Sequence, residues 1–296
     1  MLTIGTRGSD LALWQAQYIQ NKLAIAGIST EIKIIKTQGD QIQHLSFDKM
    51  EGKGFFTKEI EAALLDKSID IAVHSHKDLE TSQPAGLEIA AVPERAAPQD
   101  LLLVKKSSAT KLKWSLKKNA VIGTSSARRG EQFKAHFPEV RIKTLRGNVP
   151  TRVDKLRSDD YDAIVLAKAG LDRLEIDLSD FVAHALPVDE FVPAAAQGAL
   201  AIQMRSADNN QTVKEALEDK NTTKLVSIER SILKGINGGC QVPFGTHCSA
   251  FDGVYDLQIF CMKSGKANYA SFSSDSKSDL VATALKYILD DEGVLQ

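Results

Sequence analysis

The sequence predicts an α/β chain that closes with a small α+β domain. Across about the first 200 residues, apolar strand patterns alternate with amphipathic helical patterns, the order that builds parallel-type sheets. From Gln211 the order changes to two helices, a run of alternating strands and a last helix. The 296 residues are 43% hydrophobic and 25% charged, apolar material enough for about two domains, with one to three compatible with the length.

The elements follow in order. "LTIGT" (2–6) reads as a strand, and Ser9 can cap the amphipathic stretch Asp10 to Ala26, which Gly27 ends. "TEIKIIKT" (30–37) is a second strand. Gln38 to Gly54 is long, polar and punctuated by glycine, more than a compact domain needs as a connector, so a mobile loop is expected. "TKEIEAALLDK" (57–67) is helical, "IDIAVHS" (69–75) a buried strand and "LEIAAVP" (87–93) another. A second series opens with the strands "DLLLVKK" (100–106) and "AVIGT" (120–124). Ser125 or Ser126 caps a helix from Ala127 to Ala135, followed by the strand "VRIKTL" (140–145), a helix from Pro150 to Arg157 and the strand "YDAIVLA" (161–167). "VPAAAQGALAIQMR" (192–205) ends the α/β part as a short turn and a strand. Helices Gln211 to Asp219 and Thr223 to Asn237, strands within Ser249 to Ser273, and a helix from Ser278 to Asp290 complete the chain.

A net charge of −1 leaves no overall field to recruit nucleic acid or an anionic membrane. No apolar run approaches the roughly 20 residues of a membrane span. The start, "MLTIGTRGSDLALWQ", has neither a basic n-region nor an apolar h-region, so no secretory signal is expected there. Cys240, Cys248 and Cys261 are odd in number and clustered late, which argues against a disulfide framework. They lack a CxxC spacing and have only His247 nearby, so no metal site is expected.

Four segments put polar residues where strands end, the edge at which open α/β sheets bind ligands. "TRGS" (6–9) is either a capped helix with a solvated arginine or a site. "VHSHKD" (73–78) turns an apolar strand abruptly into five polar residues, which favours a site. "GTSSARRG" (123–130) joins three hydroxyls and two arginines at a helix N-terminus, an arrangement suited to anions, and guanidinium forks suit carboxylate. "LRGNVPTR" (145–152) is a further strand-to-helix turn. Arg7, Arg128, Arg129, Arg146 and Arg152 all fall at such turns, whereas most lysines lie in helical or linker stretches. The implied ligand carries several carboxylates or phosphates, and phosphate is less favoured because no GxxxxGK[ST] or GxGxxG pattern is present. These arginines are expected to face a wet cleft and to contribute little to folding. His74 and His76 alternate on a strand, so at most one of them faces a given site.

"NGGCQVPFG" (237–245) places Cys240 after two glycines and before Pro243, in a turn that follows a helix. A functional thiol would be accessible there. The stretch alone favours the plainer reading, a reduced and half-buried cysteine acting as a small hydrophobe.

Taken together these segments resemble the hydroxymethylbilane synthase family, also called porphobilinogen deaminases. The resemblance spans nearly the whole chain through "IGTRGSDLALWQA", "KGFFTKEIE", "DIAVHSHKDL", "VIGTSSARRG", "LRGNVPTRVDKL", "AKAGLDRL", "AAQGALAIQ" and "NGGCQVPFG", in the family's order. Departures are small: Ser231 and Ile232 stand where Ala and Phe are common, and His76 where Met is common.

The resemblance implies a transferase. It would deaminate four porphobilinogen molecules and join them head to tail on a covalent dipyrromethane primer, releasing a linear tetrapyrrole. The primer would be held through a thioether to Cys240, with Asp78 as the catalytic carboxylate. Ser75, Lys77, Thr124, Ser125, Ser126, Arg128 and Arg129 would hold the cofactor. Arg7, Ser9, Gln15, Phe56, Arg146, Arg152, Arg173 and Gln197 would hold substrate and the growing chain, whose acetate and propionate arms need cationic partners. The implied fold has two α/β domains like those of periplasmic binding proteins, 1–94 with 191–213 and 95–190, and a third domain, 214–296, carrying Cys240. The 38–54 loop would lie over a cleft as a lid. A cytoplasmic monomer without metal, nucleic acid or membrane is implied. Two other readings stand beside it. One is a binding protein that grips a polycarboxylate without chemistry; the other is a cysteine-nucleophile transferase using His247 as base.

Overall fold

The computed structural model describes residues 1–37, 57–158, 160–208, 210–239 and 242–290. The expected loop at 38–54, Phe56 and Cys240 lie outside the described residues. The chain divides into two compact units, Met1–Arg95 with Ala199–Lys224, and Ala96–Gly198 with Leu225–Gln296.

In the first unit, β1 (Leu2–Thr6) leads into α1 (Asp10–Ile25). Ser9 caps this helix as expected: its Oγ accepts from the Ala12 N–H at 3.4 Å. β2 (Thr30–Ile34), α2 (Lys58–Leu65), β3 (Ile71–Ser75) and β4 (Leu87–Ala91) follow. The second unit opens with β5 (Asp100–Lys105) and β6 (Val121–Gly123). α3 (Ala127–His136) starts at Ser126, whose Oγ accepts from the Arg129 N–H at 3.4 Å. β7 (Arg141–Lys143), α4 (Val149–Ser158), β8 (Ala163–Ala167), α5 (Lys168–Arg173) and β9 (Phe181–Ala185) complete its first part. β9 carries little apolar patterning because it is an edge strand of five residues of which only Phe181 is buried. The chain returns to the first unit with β10 (Leu200–Arg205) and α6 (Gln211–Leu217). α7 (Lys220–Gly235), β11 (Gly245–Phe251), β12 (Val254–Lys263), β13 (Lys266–Ser274) and α8 (Lys277–Leu289) finish it.

The two five-stranded sheets share one topology. The first runs β2-β1-β3-β10-β4 and the second β7-β6-β8-β5-β9. In each, four strands run the same way and a single strand, β10 in the first and β5 in the second, lies antiparallel between two of them. β11-β12-β13 form an antiparallel sheet backed by α7 and α8 through Ile228, Ile232, Leu257, Ile259, Leu280 and Ala284. The expected fold class is therefore present: two α/β sheets and a small α+β part. Because β1, β2 and β3 run the same way, their carboxyl ends share an edge, and so do those of β6, β7 and β8.

His74 and His76 were expected to alternate on one strand, so that at most one would face a given site; only His74 is on the strand, and both are buried. The strand ends at Ser75, and His76–Asp78 form a 3₁₀ turn, so strand alternation no longer governs His76. His74 Nε2 donates to Gln203 Oε1 at 3.1 Å on the neighbouring β10. Gln203 Nε2 in turn donates to Glu61 Oε1 and Gln83 Oε1. Burial lowers the His74 pKa to about 4, against a smaller opposing effect of the Gln203 bond and with help from the Arg7 charge.

In the unfolded chain the same ring titrates near 6.5, so it binds a proton that the folded protein refuses. His74 should therefore cost the fold on the order of 3 kcal/mol as pH falls from about 6.5 to about 4. Urea denaturation across that range should show the slope, and His74→Asn should flatten it. An unchanged slope in the variant would place the linkage elsewhere.

Candidate functional site

The residues singled out from the sequence fall into two groups, one at the carboxyl edge of each parallel strand set. In the first unit, Arg7 and Ser9 follow β1, and Ser75, Lys77 and Asp78 end or follow β3. Gln15 reaches from the first turns of α1 to this edge, where its Nε2 donates to Ser75 Oγ at 2.9 Å. Thr6 Oγ1 donates to the Ala12 carbonyl at 3.0 Å and fixes the turn that carries Arg7. Arg7 and Lys77 are half-buried, and Asp78 is exposed. The Asp78 carboxylate makes no hydrogen bond and no ion pair among the described residues. A 3₁₀ turn thus delivers an uncommitted carboxylate beside a half-buried ammonium group.

In the second unit, Thr124, Ser125 and Ser126 follow β6, Arg146 and Arg152 flank the turn after β7, and Arg173 lies at the end of α5 beyond β8. The hydroxyls shape the turn. Thr124 Oγ1 accepts from the Ser126 N–H at 3.1 Å, and Ser125 Oγ donates to the Leu145 carbonyl at 2.8 Å, joining the two turns. Arg152 Nε donates to the Gly147 carbonyl at 2.7 Å, in a turn where Gly147 has φ +117°. Arg173 Nη2 donates to the Gly198 carbonyl at 2.8 Å. Arg146, Arg152 and Arg173 are all half-buried.

Arg128 and Arg129 do not face a wet cleft as expected; they are 4% and 6% exposed. The reason is Asp100, a residue the sequence reading passed over, which is fully buried at the start of β5. β5 is antiparallel to β8 and pairs Asp100 with Ala167, so its first residue lies at the same edge as the carboxyl ends of β6 and β8. Asp100 Oδ2 accepts from Arg128 Nη1 at 2.8 Å. Its Oδ1 accepts from Arg129 Nε at 3.0 Å and Nη2 at 2.6 Å, and from Gln197 Nε2 at 3.0 Å. Arg128 Nη1 also donates to the Val192 carbonyl at 2.6 Å, and Arg129 Nη1 to that of Val165 at 3.3 Å. Burial alone would raise the Asp100 pKa, but the two guanidinium groups override it and hold the carboxyl well below the usual range.

The two arginines are therefore not equivalent. Arg129 has committed three of its five N–H donors to Asp100 and Val165. Arg128 keeps its Nε and Nη2 donors out of every hydrogen bond among the described residues. Two arginines against one aspartate leave this buried trio with one positive charge. A ligand carboxylate would complete it. Asp100 had a sequence signal: a charged residue opening the apolar strand "DLLLVK".

Comparison with known proteins agrees with this chemistry. The family described as "Porphobilinogen deaminase, dipyromethane cofactor binding domain" matches residues 2–213. The chain belongs to the porphobilinogen deaminase family. A porphobilinogen deaminase from Maridesulfovibrio salexigens is 47% identical over 245 residues, covering 82% of this chain and 78% of the relative. One from Sulfurimonas denitrificans is 42% identical over 281 residues, covering 93% and 87%. Among solved structures, the second substrate binding domain of an amino acid ABC transporter from Streptococcus pneumoniae aligns at 15% identity and a TM-score of 0.47, over 73% of this chain and 91% of that one. That likeness is loose and bears on no ligand. The buried trio, with Arg128 donors to spare, fits the carboxylate arms of the family's dipyrromethane.

Within this family member, Asp100→Asn should leave two buried guanidinium groups without their counter-charge and destabilise the protein by about 3–5 kcal/mol. Since the folded pKa is depressed, Asp100 stabilises fully above its unfolded value of about 3.9 and progressively less as pH falls toward the folded one. Chemical denaturation should show both the loss at neutral pH and a flatter acid limb below about pH 4 in the variant. Parental stability at neutral pH would mean that the trio contributes nothing to the fold.

Proposed function

We propose that this chain is the transferase that deaminates porphobilinogen and joins four units head to tail on a dipyrromethane primer held by Cys240, releasing a linear tetrapyrrole. The observation that supports it best is the buried Asp100–Arg128–Arg129 trio, cationic by one unit and keeping open donors on Arg128. Such a site matches a ligand that bears acetate and propionate arms, and each added unit brings two more carboxylates for Arg7, Arg146, Arg152 and Arg173.

The bound dipyrromethane supplies the pyrrole carbon on which the chain grows. Each addition forms one carbon–carbon bond, releases one ammonia and leaves a proton to be removed. Asp78 suits the proton-handling role, because an exposed and uncommitted carboxylate can hold pyrrole N–H groups, offset developing positive charge and carry the proton away. Ser75 and Gln15, hydrogen-bonded to each other, hold the end of the strand that leads into the 3₁₀ turn carrying Asp78. Ser125 and Ser126 keep the turn ahead of the arginine pair in shape. A cytoplasmic monomer is what the family resemblance implies; the net charge of −1 gives no overall field to recruit nucleic acid, and no described helix is long and apolar enough to cross a membrane.

Intact-mass measurement tests the reading directly. The purified protein should exceed its sequence mass by a bound dipyrrole, and Cys240→Ser should remove that excess while Cys248→Ser and Cys261→Ser keep it. Both of the latter cysteines are fully buried. A protein with no added mass after exposure to porphobilinogen, or one loaded without Cys240, would refute the assignment. Asp78→Asn should load its primer but lose about 10²–10³ in turnover, the scale of losing one electrostatic catalytic group. Near-parental turnover in the loaded variant would reduce Asp78 to a surface residue.

A further inference from the structure

Cys240 lies between helix α7, which ends at Gly235, and strand β11, which begins at Gly245. One carboxylate joins these two stems. Glu229 of α7 has a fully buried side chain. Its Oε1 accepts from the backbone N–H of Cys248 in β11 at 2.8 Å, and its Oε2 accepts from the backbone N–H of Ala196 at 2.6 Å. The first bond closes the base of the cysteine loop. The second ties that base to the turn Ala194–Gly198, where Ala196 has φ +61° and Gly198 φ +89°. A Cβ on Gly198 would come 2.5 Å from the Ala96 carbonyl oxygen, so this turn has little freedom to adjust.

The turn leads onward to the arginines. Gln197, next to Ala196, donates to Asp100 Oδ1, the oxygen that also receives Arg129. The strand after the loop is seated on the same segment: the Thr246 N–H donates to the Pro193 carbonyl at 2.9 Å. A Cβ at Gly245 would lie 2.6 Å from the Val192 carbonyl oxygen and 3.2 Å from Arg128 Cδ. A continuous hydrogen-bonded path therefore runs from the helix before Cys240 through Glu229, Ala196, Gln197 and Asp100 to Arg129.

Glu229 sits on the apolar stripe of α7 with Leu225, Ile232 and Ile236, where an aliphatic side chain would pack without the cost of burying a charge. A carboxylate provides two acceptor oxygens for two backbone donors from separate segments, with Oε1 also 3.5 Å from His247 Nδ1. We propose that Glu229 is a positioning residue, fixing the cofactor-bearing loop against the turn that orients Asp100 and, through it, the arginine pair. This rests on the reading of Cys240 as the attachment point.

The test compares parent, Glu229→Gln and Glu229→Asp as full-length apo-proteins, with porphobilinogen as the probe. Gln can accept from only one of the two N–H groups, and Asp is one methylene short of spanning both. Amide hydrogen exchange at Ala196 and Cys248 reports the clasp itself and should quicken in both variants. Intact-mass time courses should show primer loading slowed about tenfold, and the loaded fraction should show KM raised about tenfold with kcat changed far less. All assays run well below the variants' melting temperatures, so reduced stability alone moves neither quantity. If both variants load at the parental rate and keep the parental KM while only melting lower, Glu229 is a packing residue and the proposal is overturned. Should Glu229→Gln fail to fold, Glu229→Asp decides by the same readouts. If the parent gains no dipyrrole mass, or gains it away from Cys240, the premise fails and the proposal with it. That outcome shows in the parent alone, whereas failure of the clasp shows only between parent and variants.

Discussion

The second unit is organised around a single buried carboxylate. Asp100 accepts four N–H donors from Arg128, Arg129 and Gln197, and those donors come from two parts of the chain that are remote in sequence. A lone charge in that position would be prohibitively expensive. With two guanidinium partners it is stable as the anion, and the excess positive charge becomes a property of the protein interior rather than of its surface. A cation held in this way is poorly screened by salt, and its orientation is set by hydrogen bonds before any ligand arrives.

The shared sheet topology explains why Asp100 can play this part. Each five-stranded sheet contains four parallel strands whose carboxyl ends form one edge, and one antiparallel strand inserted among them. The inserted strand begins at that same edge. In the second unit it brings Asp100 to the turn after β6; in the first, Leu200 of β10 pairs with Ser75 at the end of β3. Strand direction, rather than proximity along the chain, decides which polar residues meet.

A comparison of the two acidic groups is instructive. Asp78 is exposed and uncommitted, which suits a group that must meet transient charge and exchange protons with its surroundings. Asp100 is enclosed and saturated, which suits a group that must never titrate in use. The same side-chain chemistry takes opposite roles because one ends a solvent-facing 3₁₀ turn and the other opens a buried strand.

Much of this was legible in the sequence. Period-two and helical patterns located nearly every element, Ser9 and Ser126 announced their helices, and "HSHKD", "GTSSARRG" and "LRGNVPTR" marked the strand ends where the candidate site residues lie, because turn chemistry and strand termination are local. The sequence also contained two quieter signals, Asp100 at the head of an apolar strand and Glu229 on an apolar helical stripe, each of which becomes informative only once its partner is known. Tertiary structure alone decided the rest. It turned Arg128 and Arg129 inward, where their charges meet Asp100, buried both His74 and His76 by ending a strand one residue earlier than alternation assumes, and brought Ala196 and Cys248 to one carboxylate. Those outcomes depend on pairings between residues tens of positions apart, and local periodicity carries no information about which distant partner a buried charge will find.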